Sequence, residues 1–120
     1  MKLAKHLKDG YWAEEHACKI LRKKGLRLIE RNYNCRFGEI DLVMQDGEYL
    51  VFVEVRLRKN TAYGAASETV DWRKQQKLRR TAEYYLLQRV GSVDTPCRFD
   101  IFAITGDPAA AETQWISNAF

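Results

Sequence analysis

Residues 38–58 read GEIDLVMQDGEYLVFVEVRLR, two apolar runs of period two that meet at Asp46-Gly47. Asp-Gly is the strongest short hairpin signal a sequence offers, so this stretch predicts two antiparallel strands. With Asp46 and Gly47 as the loop, Gln45 faces Glu48, Val43 faces Leu50, Asp41 faces Phe52 and Glu39 faces Glu54. Alternation then gives a core face of Ile40, Leu42, Met44, Tyr49, Val51, Val53, Val55 and Leu57. The other face carries Val43, Leu50 and Phe52 near the turn, and Glu39, Asp41, Glu54 and Arg56 farther from it. Opposite residues have Cβ atoms roughly 4.5–5.5 Å apart, where like charges destabilise the pair. Three arrangements relieve that conflict: full exposure, a basic partner such as Arg56, or a divalent cation. Magnesium is held by one or two carboxylates and keeps several waters, which suits Asp41 and Glu54 better than a closed cage would.

Outward from the hairpin the chain reads as one domain of 120 residues, a size that buries roughly 65% of its unfolded surface without staples. A helix is expected over 11–24, reaching back as far as Lys2, with 1–10 otherwise a loose N-terminal segment. Its apolar stripe is Ala13, Ala17, Ile20 and Leu21, and Gly25 is a fitting stop. LRLIERNYNC (26–35) reads as a strand, RKNTAYGAASE (58–68) as a polar loop, 69–89 as a second helix and CRFDIFAIT (97–105) as a last strand. The tail 106–120 starts with a turn and packs Trp115, Ile116 and Phe120 back on the core. The order is α-β-β-β-α-β: an α/β fold with a short mixed sheet flanked by helices.

Each helix places a charge on its buried side. Glu14 falls in the first stripe with Ala17, Cys18 and Leu21, whereas Glu15 points to solvent. A buried lone carboxylate costs several kcal/mol unless paired or ligated, so Glu14 either reaches water at the stripe's edge or joins the hairpin acids. On the second helix Lys74 lies between Val70 and Leu78, with Gln75 beside it; Lys74 either snorkels over the core or reaches Glu54 or Asp41.

Composition narrows the function classes. Hydrophobic residues are 46% and charged residues 30%, which excludes disorder and coiled coil. Cys18, Cys35 and Cys97 lie far apart without a CxxC, against a zinc site and in keeping with thiols in a reducing compartment. The first residues carry no apolar signal region and no run is long enough to span a membrane; a soluble cytoplasmic protein with no membrane partner is the expectation. Net charge is only +4, but LRKKGLR (21–27), RLRKN (56–60) and RKQQKLRR (73–80) gather the positive residues. These clusters are either solvated faces or contacts for phosphate backbones.

GEIDLV followed by VFVEVRLR resembles the split metal-binding motif of the PD-(D/E)xK nuclease superfamily. The ordered run Gly10, EEHA, GLRLIERNY, GEIDLV, VFVEVRLR, YG, KQQKL and RFDIFAIT resembles, over about residues 10–120, the bacterial YraN-like family, which is similar in fold to archaeal Holliday junction resolvases. The resemblance implies a restriction-endonuclease-like core in a single endonuclease-like domain over 1–120. It implies that Asp41 and Glu54, with Glu14 and Glu39 nearby, hold magnesium or manganese, with the Val55 carbonyl a further ligand. Arg56 stands where the motif usually has lysine, and Lys74 or Gln75 matches the polar position on the following helix. Arginine grips phosphate bidentately but stays protonated, so Arg56 is no general base, and Lys74 is the nearby group able to move a proton. Arg58, Lys59, Arg73, Gln75 and Lys77 would follow a nucleic-acid backbone. The expected function is metal-dependent hydrolysis of phosphodiester bonds in DNA, branched DNA included, by a homodimer; the alternative is a nucleic-acid-binding module of the same fold with little catalysis.

Overall fold

The computed structural model describes residues 5–59 and 70–120. Helix α1 (Lys5–Lys23) is followed by strands β1 (Arg27–Cys35), β2 (Gly38–Asp46) and β3 (Tyr49–Arg58), helix α2 (Trp72–Tyr85), strand β4 (Cys97–Thr105) and strand β5 (Glu112–Ile116). α1 thus begins at Lys5, inside the segment expected to be loose. It ends as its glycine implies: Gly25 sits at φ 104 and the Leu26 N–H reaches back to the Leu21 carbonyl at 3.1 Å, a Schellman closure.

The five strands form one mixed sheet in the order β1-β2-β3-β4-β5. β1, β2 and β3 run antiparallel in succession, β3 and β4 pair in parallel across the α2 connection, and β5 returns antiparallel to β4. The C-terminal tail therefore does more than pack on the core: Glu112–Ile116 completes the sheet. Helix α2 stops at Tyr85, short of the expected 89, and continues as a π-helical turn over Leu86–Val90, where Gln88 accepts from the Tyr33 hydroxyl at 2.6 Å and Arg89 meets Glu30. Of the loop expected over 58–68, Arg58 instead ends β3 and Lys59 follows it, and 60–68 lie outside the described residues.

Both faces of the sheet are core. Ala13, Ala17, Cys18 and Leu21 of α1 cover Leu42, Met44, Val51, Val53, Phe102 and Ile104. Leu78, Ala82 and Tyr85 of α2 cover Tyr33, Val43, Leu50, Phe52, Phe99 and Ile101. Central strands buried on both sides need nearly continuous apolar runs, which is why LVM (42–44) and LVFV (50–53) do not alternate with polar residues.

The hairpin register differs from the expectation. Asp46 pairs with Tyr49, Val43 with Phe52 and Leu42 with Val53, so the loop is Gly47-Glu48, with Gly47 at φ 58, as a two-residue turn with glycine first requires. Moving the loop by one residue slides the strands by two. Phe52 therefore faces Val43 and not Asp41, and Glu39 does not face Glu54; one further step along the observed register brings Asp41 level with Glu54.

Alternation also breaks once. Leu42 packs under α1, but Ile40, two residues before it, packs under α2. β1 breaks at the same level: Arg31 reaches Glu15 on α1 at 2.7 Å, Tyr33 packs under α2, and Asn32 between them sits at φ 51. Arg31–Leu42 and Tyr33–Ile40 are paired across this point, leaving Asn32 and Asp41 as the opposed residues of a double kink. Ile40 therefore leaves the core face assigned to it by strict period two, and Asp41 is turned toward β3.

Candidate functional site

The kink ends the β2–β3 ladder after Leu42–Val53, and the Asp41 side chain takes over. Its Oδ2 accepts from the Val55 N–H at 2.8 Å. That position is poor for a charge. Burial pushes the Asp41 carboxyl up to about 7, the negative charges of Glu54, Glu14 and Glu39 add to the rise, and the Val55 N–H opposes it.

Glu54, only 7% exposed, stands on the α2 side of β3. Lys74 Nζ lies 3.1 Å from its Oε1, and Arg56 contacts the same oxygen at 3.5 Å. Lys74 is aimed there by the first turn of α2. The Asp71 carboxylate accepts from the Lys74 backbone N–H at 2.9 Å, and Gln75 Nε2 donates to the Val70 carbonyl at 3.0 Å. Such a cap contributes about 1 kcal/mol. Lys74 therefore points at the acids, as its place between Val70 and Leu78 predicts, while Gln75 turns to the backbone of its own helix start.

Gly38 sets how closely α2 approaches β2. A Cβ at this position would lie 3.0 Å from both Lys77 Cε and Thr81 Oγ1, and the backbone has φ +150. Thr81 is fully buried and donates to the Lys77 carbonyl at 2.8 Å. Without a side chain at Gly38 the helix settles onto the strand, and Lys77 crosses the start of β2.

From the other face α1 contributes Glu14, half-buried. Burial raises its carboxyl above the usual range; a hydrogen bond from Asn32 opposes that rise, Glu39 adds to it, Arg31 lowers it and Glu54 raises it. The kink residue Asn32 thus serves the site, which the sequence reading missed; the available signal was an asparagine, tolerant of left-handed backbone, inside a strand. Glu15 does not simply face water, since it holds Arg31. Glu39 is exposed, and its field reaches both Asp41 and Glu14.

Asp41, Glu54, Glu14 and Glu39 therefore lie within electrostatic reach of one another, with Arg56 and Lys74 on Glu54. Of the expected backbone-tracking residues, Lys77 lies over Gly38 in a depression that also contains Glu39. Arg73 is exposed on α2, half-buried Arg58 ends β3 and exposed Lys59 follows it. Among the described residues no three His, Cys, Asp or Glu side chains form a group that could hold a metal ion by themselves, so a cation here would need ligands beyond the carboxylates. Among them, too, no helix is long and apolar enough to cross a membrane.

Comparison with known proteins gives a consistent result. The model of a family described as "Uncharacterised protein family UPF0102" matches residues 13–104. A UPF0102 protein of Nitrosococcus oceani is 45% identical over all of this chain and 97% of its own length. One from Stutzerimonas stutzeri is 52% identical over 93% of each chain. One from Pseudomonas syringae pv. syringae is 49% identical over 92% of this chain and 91% of its own.

Proposed function

The chain belongs to the UPF0102 family, and from that premise we propose that it is a divalent-cation-dependent nuclease hydrolysing phosphodiester bonds in DNA, branched DNA included. One observation carries the reading: half-buried Asp41, near the start of β2 and beside buried Glu54, is pushed up to about 7 by desolvation and by its acidic neighbours. Crowded carboxylates with a raised pKa mark a candidate functional site, and a bound cation would relieve the repulsion. The donors are hard oxygens, the chemistry magnesium and manganese take. Asp41 and Glu54 would hold the ion, with the Val55 carbonyl, water and a phosphate oxygen as further ligands. When bound, it supplies Lewis acidity toward water and toward the phosphodiester.

The chain's own residues do the rest. Arg56 and Lys74, both on Glu54 Oε1, pass to the non-bridging oxygens of the phosphate, where fixed positive charge favours the more anionic transition state. Arg56 remains protonated and serves only as charge. Lys74 is the basic group beside the acids able to donate or accept a proton. The Asp41–Val55 hydrogen bond holds its carboxylate in place before substrate arrives.

A second reading, nucleic-acid binding with little catalysis, is favoured by one feature: Glu54 Oε1 already has two cationic partners, one of them an arginine that cannot be discharged. A labelled four-way DNA junction, a duplex and a single strand, incubated with magnesium, manganese or a chelator, separate the two. Cation-dependent cleavage lost in Asp41→Asn and Glu54→Gln supports the nuclease. Binding that weakens with salt, without cleavage, supports the module. Absence of binding at low salt removes both.

A further inference from the structure

The two-residue turn between β1 and β2, Arg36-Phe37, lies against α2 beyond Lys77. Arg36 places its guanidinium 4.8 Å from the centre of the Phe37 ring, and Arg80 approaches the same ring at 5.7 Å. Tyr84 meets Phe37 edge-on, with ring centres 5.6 Å apart. These side chains, with Glu83 and Leu87, line a shallow open groove. Arg36 and Phe37 also line the depression that contains Lys77 and Glu39. The two make one path from the acidic site, along α2, to the turn.

We infer that this path is a subsite for unpaired nucleotides, with nucleobases stacking on Phe37, Tyr84 and the guanidinium planes of Arg36 and Arg80, and the intervening phosphates meeting Lys77 and the two arginines. The inference deepens the nucleic-acid reading above and rests on it. Charge complementarity favours this occupant. Three cations and two rings share the path, with Arg36 and Arg80 both over Phe37, and single strands are held by such a mixture: charge tracks the backbone while rings take bases of any sequence. A guanidinium plane is itself a stacking surface. A small-molecule site is normally a deep apolar cleft that encloses its ligand, and this groove is open and shallow. Length fits as well. Lys74, on Glu54, and Arg80 are six residues apart on α2, about 9 Å along the axis, within the reach of a short run of unpaired nucleotides. A strand whose phosphate lies at Lys74 would reach the turn a few nucleotides away at most.

The test is binding of a fluorescein-labelled twelve-nucleotide oligothymidine, and of a duplex of the same length, to the metal-free full-length protein at low salt. Phe37→Ala is expected to weaken single-strand binding about tenfold and duplex binding far less. Phe37→Leu keeps the bulk without the π-face and should behave like Phe37→Ala, while Phe37→Trp should restore or tighten binding. Arg80→Ala should lower the salt slope by about 1 for one lost phosphate contact. Circular dichroism and thermal melting of each variant identify any loss caused by unfolding, and the leucine variant carries the test should the alanine variant melt early. Single-strand affinity unchanged in Phe37→Ala and Phe37→Leu, or equal losses on both probes, overturns the inference. A dimer in the wild type that Phe37→Leu dissociates also overturns it, since the groove would then hold a second copy. Because no cation is present, the result is independent of cleavage: ring-dependent binding by a protein that never cuts rejects the nuclease and keeps the subsite, and cation-dependent cutting without ring dependence does the reverse.

Discussion

Asp100 on β4 is sunk in the sheet and Asp41 on β2 is half-buried, and the protein surrounds them in opposite ways. Asp100 is fully buried and receives donors from three directions: Arg98 Nε and Nη2 at 3.1 and 3.3 Å, Trp115 Nε1 at 2.8 Å and the Asn118 N–H at 2.9 Å. Arg98 also reaches Asp46 at 2.9 Å. The network ties β4 to β5 and to the β2–β3 turn. Asp41 takes the Val55 N–H and otherwise faces the charges of Glu54, Glu14 and Glu39. A carboxylate that serves folding is given donors; the one held among other carboxylates is the one we propose as a cation ligand. The contrast thus sets a structural aspartate beside the proposed functional one.

That contrast breaks first at Asp100. Asp100→Ala leaves Arg98 and Trp115 without their acceptor in the interior, and losing one partner of a buried ion pair costs about 3–5 kcal/mol. Urea unfolding is expected to show that loss, with the C-terminal strand loosened; a loss below about 1 kcal/mol would make Asp100 as dispensable as a surface charge.

Asp41→Asn should act in the other direction. Because the folded carboxyl is raised to about 7 from an unfolded value of 3.8, the folded state binds the proton more tightly. Its contribution to stability is complete below the unfolded value and disappears as pH rises through about 7. Metal-free wild type should therefore lose stability between about pH 4 and 7, by at most about 1.4 kcal/mol per pH unit from this group. Asp41→Asn should lack that part of the slope and gain about 1–3 kcal/mol at neutral pH, while losing cation-dependent function. Parallel slopes in the two proteins would mean that Asp41 is an ordinary carboxylate.

The approach of α2 is the next point of attack. Gly38→Ala puts a methyl against Lys77 and Thr81 at 3.0 Å, on a backbone with φ +150, and should cost on the order of 1–3 kcal/mol. It should weaken nucleic-acid binding in proportion, because Lys77 and Lys74 move together. Binding that survives a clear stability loss would detach the basic face from the helix position.

Lys74→Met should have the smallest effect on stability. The lysine is about two-fifths exposed, and ion pairs at that exposure contribute no more than about 1 kcal/mol. It should nevertheless weaken phosphate binding at low salt; unchanged binding would remove Lys74 from the site.

The element order was legible in the sequence because each element declares itself locally. β2 and β3 are apolar runs around a glycine turn, and α1 shows Ala13, Ala17 and Leu21 at helical spacing before Gly25. Glu14 and Lys74 stood out as charges on the buried sides of their helices, and Asp41 and Glu54 as like charges close together on one face of the hairpin. What could not be read depended on single residues. Gly47 and Asp46 compete for the turn, and one residue there displaced the cross-strand pairs by two. The kink at Asn32 and Asp41 defeats alternation, so Ile40 was assigned to the wrong face. Strand β5 was hidden because ETQWI has one exposed edge and little apolar content; it is held through Trp115 and Asn118 by Asp100, a contact no local pattern announces. The Arg36-Phe37 turn escaped notice because charge was sought in runs, whereas here the arginines come from a turn and a helix distant in sequence.

The central claim is that Asp41 and Glu54 are crowded so that a divalent cation can bind between them. Its most direct test is calorimetric titration of manganese into the metal-free protein at pH 7.5, with Asp41→Asn alongside. The wild type is expected to show a weak saturable site, accompanied by proton release from Asp41 and absent from the variant. Equal heats from the two proteins, or a site that persists in Asp41→Asn, would contradict it.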